Sequence, residues 1–230
     1  MKTIAIIGAL EEEVAHIASS LHGVRHDIAA SLDVYHGTIV AASGESINVA
    51  ATVGGMGLVN AAATTQHLID VYQPDAVIFT GIAGNLNSKL HINDVVLGGT
   101  LRYLDSDMRL ISEWKPQLQE FHSDKRLIDL AQDVLKDMDI TNIVGTIASG
   151  NYFVDTPQKI AQVIELTHAD AVEMEGAAVA HVSARNDVPA LVIRALSDNA
   201  DTEYEVFKEF DISQYADTAA KLALSIIERI

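Results

Sequence analysis

Three short apolar runs constrain this chain more than any other feature. Thr3-Ile4-Ala5-Ile6-Ile7, Ala76 to Phe79 and Ala190 to Ala195 each close on a turn of small or acidic residues: Gly8, Thr80-Gly81, and Leu196-Ser197-Asp198. A continuous apolar run of that length belongs to a strand covered on both faces. Helical patterns lie between such runs. They cover Glu11 to about Leu21, with acids in the first turn where the helix dipole favours them, and about Leu58 to Tyr72, halted by Pro74. They continue at 124–137, at Pro157 to about Thr167, at 176–186 and at about 213–229. Pro157 stands at a helix start, where a missing N–H costs little. Two β-rich runs, about 33–42 and 47–53, flank Ser43-Gly44-Glu45-Ser46 and predict a hairpin. Shorter strands are predicted at 94–97 and 143–148, with an irregular, charged stretch at 100–122.

Strands alternating with helices predict an α/β layered domain, and the hairpin makes its sheet mixed. Several strands end at Gly8, Gly54, Gly81, Ser149, Glu175 and Ser197. In an open α/β sheet such ends line one crevice, where ligands bind. No low-complexity tract or linker interrupts the 230 residues, so one domain over 1–230 is expected. The charge of −17, from 15 Lys and Arg against 32 Asp and Glu, argues against nucleic-acid and acidic-membrane partners. A small molecule suits it better. The chain has no cysteine, which removes disulfides and thiolate chemistry and fits a cytoplasmic location. Residues 3–10 resemble a signal core behind Lys2, but Glu11-Glu12-Glu13 follows at once, so the run is expected to be the first buried strand. No stretch approaches a membrane span.

The glycine turns at Gly54-Gly55-Met56-Gly57 and Gly81-Ile82-Ala83-Gly84 match a dinucleotide fingerprint only in part, and no phosphate-cradling Gly-Lys-Ser/Thr follows either. The nine histidines show no metal-ligand spacing, and His181 reads as a core residue. No Gly-x-Ser-x-Gly elbow appears. No metal and no cofactor is expected. Acids remain. Glu173-Met174-Glu175 puts two carboxylates at a strand-to-helix junction, where charge near a core has to be paired or solvated. Glu13 and Asp198 also stand at strand ends. Each alone fits a solvated helix-start acid or a cap; together they could converge.

At these residues the chain resembles the 5′-methylthioadenosine/S-adenosylhomocysteine nucleosidases of the purine nucleoside phosphorylase-like superfamily. The resemblance rests on 6–14 (IIGALEEEV), 80–84 (TGIAG), 149–154 (SGNYFV), 172–178 (VEMEGAA) and 194–201 (RALSDNAD), and covers nearly the whole chain. It implies a three-layer αβα domain with a mixed central sheet, a homodimer, and hydrolysis of an N-ribosidic bond without metal or cofactor. It also implies site roles. Asp198 would protonate the purine at N7, helped by Ser197, Glu13 would activate water, and Glu175, beside Met174, would hold the ribose hydroxyls. Phe153 and Val154 would meet the purine, with Leu10, Met56, Ile82 and Phe207 lining the rest of the pocket.

The residue types suit that chemistry. Cleavage leaves negative charge on the departing purine and positive charge on the sugar, which an acid and nearby carboxylates respectively stabilise. Hydrolysis rather than phosphorolysis has separate support: residues 8–24 contain no Arg or Lys and three acids, which repel a phosphate dianion. The chain departs from the family pattern at Ile82, where Ser is common, and across 101–122, which lacks the usual aromatic and Gly/Pro pattern facing the 5′-substituent. The alternatives are a nucleosidase for another 5′-modified purine nucleoside, or a non-catalytic nucleoside-binding protein on the same fold.

Overall fold

The first strand, β1 (Thr3–Gly8), sets out the layers. Its alternate side chains enter different cores: Ile4 and Ile6 join one buried cluster and Ala5 and Ile7 another. The first cluster is closed by α1 (Glu11–Ser19), α4 (Lys125–Asp137) and α7 (Ser213–Arg229), the second by α2 (Leu58–Tyr72) and α6 (Gly176–Arg185). The expected three-layer αβα arrangement follows, because a strand apolar on both faces needs helices on both. The computed structural model describes residues 1–200 and 213–230.

The remaining strands are β2 (His22–Ala29), β3 (Leu32–Val40), β4 (Ser46–Val53), β5 (Ala76–Asn85), β6 (Val95–Tyr103), β7 (Asn142–Ser149), β8 (Ala171–Glu173) and β9 (Ala190–Asp198). Their order is β2-β3-β4-β1-β5-β8-β7-β6-β9, and β5 also pairs with β9. The last five strands therefore close into a ring joined through β5 to an open half. β1 runs parallel to β4 and β5, and β5 parallel to β9, whereas β2–β3, β3–β4, β5–β8 and β6–β9 are antiparallel. The mixed sheet was expected; the ring was not.

Two further helices are α3 (Met108–Ile111) and α5 (Pro157–Thr167). α2 matches its expected limits, with Gln73 in the left-handed region before Pro74. β5 corrects the expectation that Thr80–Gly84 is a turn. The strand continues because β9 pairs with it from Val77 to Gly84, and Gly81 and Gly84 admit close neighbours. β6 likewise runs on to Tyr103, held by backbone hydrogen bonds between Leu101 and Phe121 in both directions. β2 had no sequence signal. It is an exposed edge strand without alternation, and its turn to β3 uses Ala30 and Ser31 at positive φ in place of the usual Gly or Asn.

If both faces of β1 are closed, neither side is dispensable. Ile6→Ala and Ile7→Ala should each lower unfolding free energy by about 2–5 kcal/mol, measured by urea denaturation. A near-neutral result for either would mean that its layer is open.

Candidate active site

The strand ends named above meet at one cavity of about 260 Å³. Gly8, Ala9 and Leu10 come from the end of β1, and Gly55 and Met56 follow β4. Ile82, Ala83 and Gly84 come from β5, Tyr152 to Val154 follow β7, Glu173 to Glu175 close β8, and Arg194, Ser197 and Asp198 come from β9. Phe79 and Val172 complete a largely apolar wall. The size suits a single nucleoside rather than a dinucleotide.

The structure brings most of the expected residues together. Leu10, Met56, Ile82, Phe153, Val154, Met174, Glu175, Ser197 and Asp198 all line the cavity. Phe207 lies outside the described residues. Glu13 stands just behind the lining: it is fully buried in the first turn of α1, and its Oε2 accepts the backbone N–H of Ala9 at 3.1 Å. Its Oε1 accepts the Thr80 hydroxyl in a short hydrogen bond. Burial pushes the Glu13 carboxyl up to about 8, against the smaller opposing effects of the Ala9 N–H and the Arg194 charge.

Asp198 is held by its neighbours. The Ser197 hydroxyl lies 2.9 Å from Oδ2 and the Ala200 N–H donates to Oδ1 at 2.5 Å. The Ser197 oxygen is also 3.3 Å from the Ala83 carbonyl, so its single proton can serve either acceptor. Glu175 ends the approach to α6, and its Oε1 accepts the Gly57 N–H at 2.8 Å. Gly57 has φ +93, a left-handed conformation that glycine adopts without a Cβ penalty. Burial pushes Glu175 up to about 7, with the Glu173 charge adding to it and Arg194 opposing.

Arg194, Glu173, Ser149, Thr80, Phe79 and Tyr152 were given no task by the sequence reading. Arg194 is 1% exposed; it donates through Nε and Nη2 to Glu173 Oε2 at 3.1 and 2.6 Å and lies 3.9 Å from the centroid of Phe79. Its Nη2 is 3.9 Å from Glu175 Oε2. A Cβ at Gly81 would fall 2.9 Å from Arg194 Nη1 and from Ala9 Cβ, so this glycine makes room for the guanidinium. The signal was present: one Arg inside the apolar run 190–196 has to find a buried anion. Among the described residues, no group of three or more His, Cys, Asp or Glu is placed to hold a metal ion, and no helix is long and apolar enough to cross a membrane.

Known proteins resemble this chain in sequence and in fold. The sequence profile of the phosphorylase superfamily matches residues 3–228. A 5′-methylthioadenosine/S-adenosylhomocysteine nucleosidase of Bacillus subtilis is 34% identical over 233 residues, covering 99% of each chain. The solved structure of the Streptococcus pneumoniae MTA/SAH nucleosidase with 8-aminoadenine aligns with a TM-score of 0.87 at 31% identity, over 100% of both chains. That of Helicobacter pylori futalosine hydrolase aligns at 0.84 and 30% identity, over 99% of this chain and 97% of that one. The chain belongs to the phosphorylase superfamily and, within it, to the 5′-methylthioadenosine/S-adenosylhomocysteine nucleosidases. It is therefore an enzyme, a purine nucleosidase.

The buried Glu13 makes stability depend on pH with a definite sign. Its folded-state value, raised to about 8 from an ordinary 4.5, means that the fold favours the protonated form. That contribution is complete below the ordinary value and is lost as pH rises through about 8. Between these limits the native state holds more protons than the unfolded chain, so stability falls as pH rises. Glu13→Gln should remove most of this slope and melt roughly 5 °C above wild type at pH 9. Calorimetric melting from pH 5 to 9 checks it; parallel curves for the two proteins would contradict the protonated state.

Proposed function

We propose that this enzyme hydrolyses the N-ribosidic bond of 5′-methylthioadenosine and S-adenosylhomocysteine, releasing adenine and the 5-thioribose product. The observation that carries the reading is one apolar, nucleoside-sized cavity lined by Asp198 and Glu175, with Glu13 directly behind Ala9. Asp198, oriented by Ser197 and the Ala200 N–H, gives a proton to purine N7 as the C1′–N9 bond breaks and its electrons pass to the base. Glu13 takes a proton from water while the water oxygen bonds to C1′. Glu175 accepts hydrogen bonds from the ribose hydroxyls, and Phe153 stacks on the purine beside the Val154 backbone. Leu10, Met56, Ile82 and Met174 shape the sugar and 5′ side. The enzyme works as one domain over 1–230, as a cytoplasmic homodimer that binds no nucleic acid.

Water as the attacking group is supported by the charge inside the cavity. Residues 8–24 bring no cation, and both fork bonds of Arg194 go to Glu173. A phosphate dianion would find no free cation among the described lining residues, because their one guanidinium is already paired with Glu173. Glu13 begins protonated in the empty site below about 8 and has to ionise before it can act as a base. Positive charge developing on the sugar favours that ionisation.

A second reading keeps the reaction and changes the substrate to another 5′-modified purine nucleoside. It is favoured by the similarity to Helicobacter pylori futalosine hydrolase and by the divergent 101–122 segment, where Leu110 and Trp114 are exposed. Incubation with 5′-methylthioadenosine, S-adenosylhomocysteine and futalosine, with and without phosphate, followed by chromatography, separates the possibilities. Adenine and a free thioribose product, independent of phosphate, are expected; a ribose 1-phosphate product would overturn hydrolysis.

Asp198→Asn and Glu13→Gln should each lower kcat by about 10²–10⁴ while retaining the fold and much of the nucleoside affinity. Steady-state kinetics with calorimetric binding checks both, and undiminished turnover would remove the substituted residue from the mechanism.

A further inference from the structure

Glu173 has no part in the chemistry proposed above, yet it is the most heavily bonded carboxylate at the site. Its Oε2 accepts the N–H groups of Glu175 and Gly176 at 3.1 and 2.7 Å and both fork bonds of Arg194. Its Oε1 accepts the Ser149 hydroxyl in a short hydrogen bond, and Ser149 Oγ in turn accepts the Ala177 N–H at 2.8 Å. The first N–H groups of α6 are therefore satisfied by Glu173 directly and by Ser149 beside it.

That is unusual for this helix start. Glu175 occupies the N-cap position with φ −139° and ψ −40°, and a carboxylate there ordinarily folds back onto the N–H groups of the first turn. Here the Glu175 side chain makes no capping hydrogen bond. It turns instead into the cavity, with Oε1 on the Gly57 N–H. Arg194 is the other group that would claim it, being only 3.9 Å away, and Glu173 holds the guanidinium through two shorter bonds. A carboxylate two residues earlier thus satisfies both the helix end and the buried cation.

We infer that Glu173 is a positioning residue: by capping α6 and engaging Arg194 it keeps the Glu175 carboxylate available to the ribose hydroxyls of the substrate. The inference rests on the nucleosidase reading of the cavity. It separates the tasks of two acids that stand one residue apart. The hydrogen bonds of Glu173 go to protein groups, and the contact it governs is to the sugar and not to the purine.

Glu173→Gln tests it. The amide keeps the shape and one acceptor but leaves Arg194 without its countercharge, so the guanidinium takes Glu175. KM for 5′-methylthioadenosine should rise about ten- to a hundredfold, the range for losing a hydrogen bond to a charged group, with a smaller change in kcat. Affinity for adenine, which has no ribose, should stay within about twofold by calorimetry. Adding Glu175→Gln to the same chain should cost little more, because the two changes remove one contact. A fall in kcat at unchanged KM, equal losses of adenine and nucleoside affinity, or full additivity with Glu175→Gln would each assign Glu173 a merely structural role. If Glu173→Gln does not fold, Ser149→Ala removes one member of the cap and should raise KM several-fold with adenine affinity intact; an unchanged KM overturns the inference. A wild type without turnover removes the nucleosidase reading along with it, whereas active wild type with KM raised by Glu175→Gln but not by Glu173→Gln removes the positioning role alone.

Discussion

A guanidinium with 1% of its surface exposed is the demand around which the active-site half of this structure is built. An unpaired cation at that depth would cost several kcal/mol, so Arg194 fixes where its neighbours stand. Glu173 supplies the countercharge, Phe79 the ring face beneath, and Gly81 the space. Because Arg194 is on β9, Glu173 on β8, and Phe79 and Gly81 on β5, satisfying one side chain ties three strands of the closed ring at the level of the cavity. Glu13 and Glu175 feel the same charge, each being drawn toward ionisation against the burial that opposes it.

The chemistry of the cavity follows from how few polar groups face it. An apolar wall strengthens the remaining charges, since little water is present to screen them. Acids that would be ordinary on the surface become useful there, because their protonation can respond to charge developing on a bound sugar. The same wall makes an excess anion unwelcome, and that separates water from phosphate as the attacking group without any dedicated exclusion device.

Much of this was legible in the sequence, for identifiable reasons. The apolar runs at 3–7, 76–79 and 190–195 have no solvent-facing alternation, so their double coverage could be read directly. The junction acids stood out because charge beside a core requires a partner. What could not be read was which partner. The acids do converge on one cavity, but the partner of Glu173 is Arg194, hidden in the sequence by its apolar neighbours in the run 190–196. β2 escaped because an edge strand exposed along its length needs no hydrophobic period. The length of β5 escaped because glycines that usually mark turns here allow neighbouring side chains to approach a continuing strand.

The cavity wall draws on residues from Gly8 to Asp198, and its halves are joined by pairings of β1 with β4 and β5 and of β5 with β9. No contiguous fragment contains a working portion of it. Occupancy is therefore coupled to the folding of the sheet that supplies the wall. A ligand at a hundred times its Kd adds about 2.7 kcal/mol to the global unfolding free energy. A ligand of the cavity therefore raises the melting temperature as its concentration climbs above its Kd, because it stabilises the strands on both sides of the cavity together.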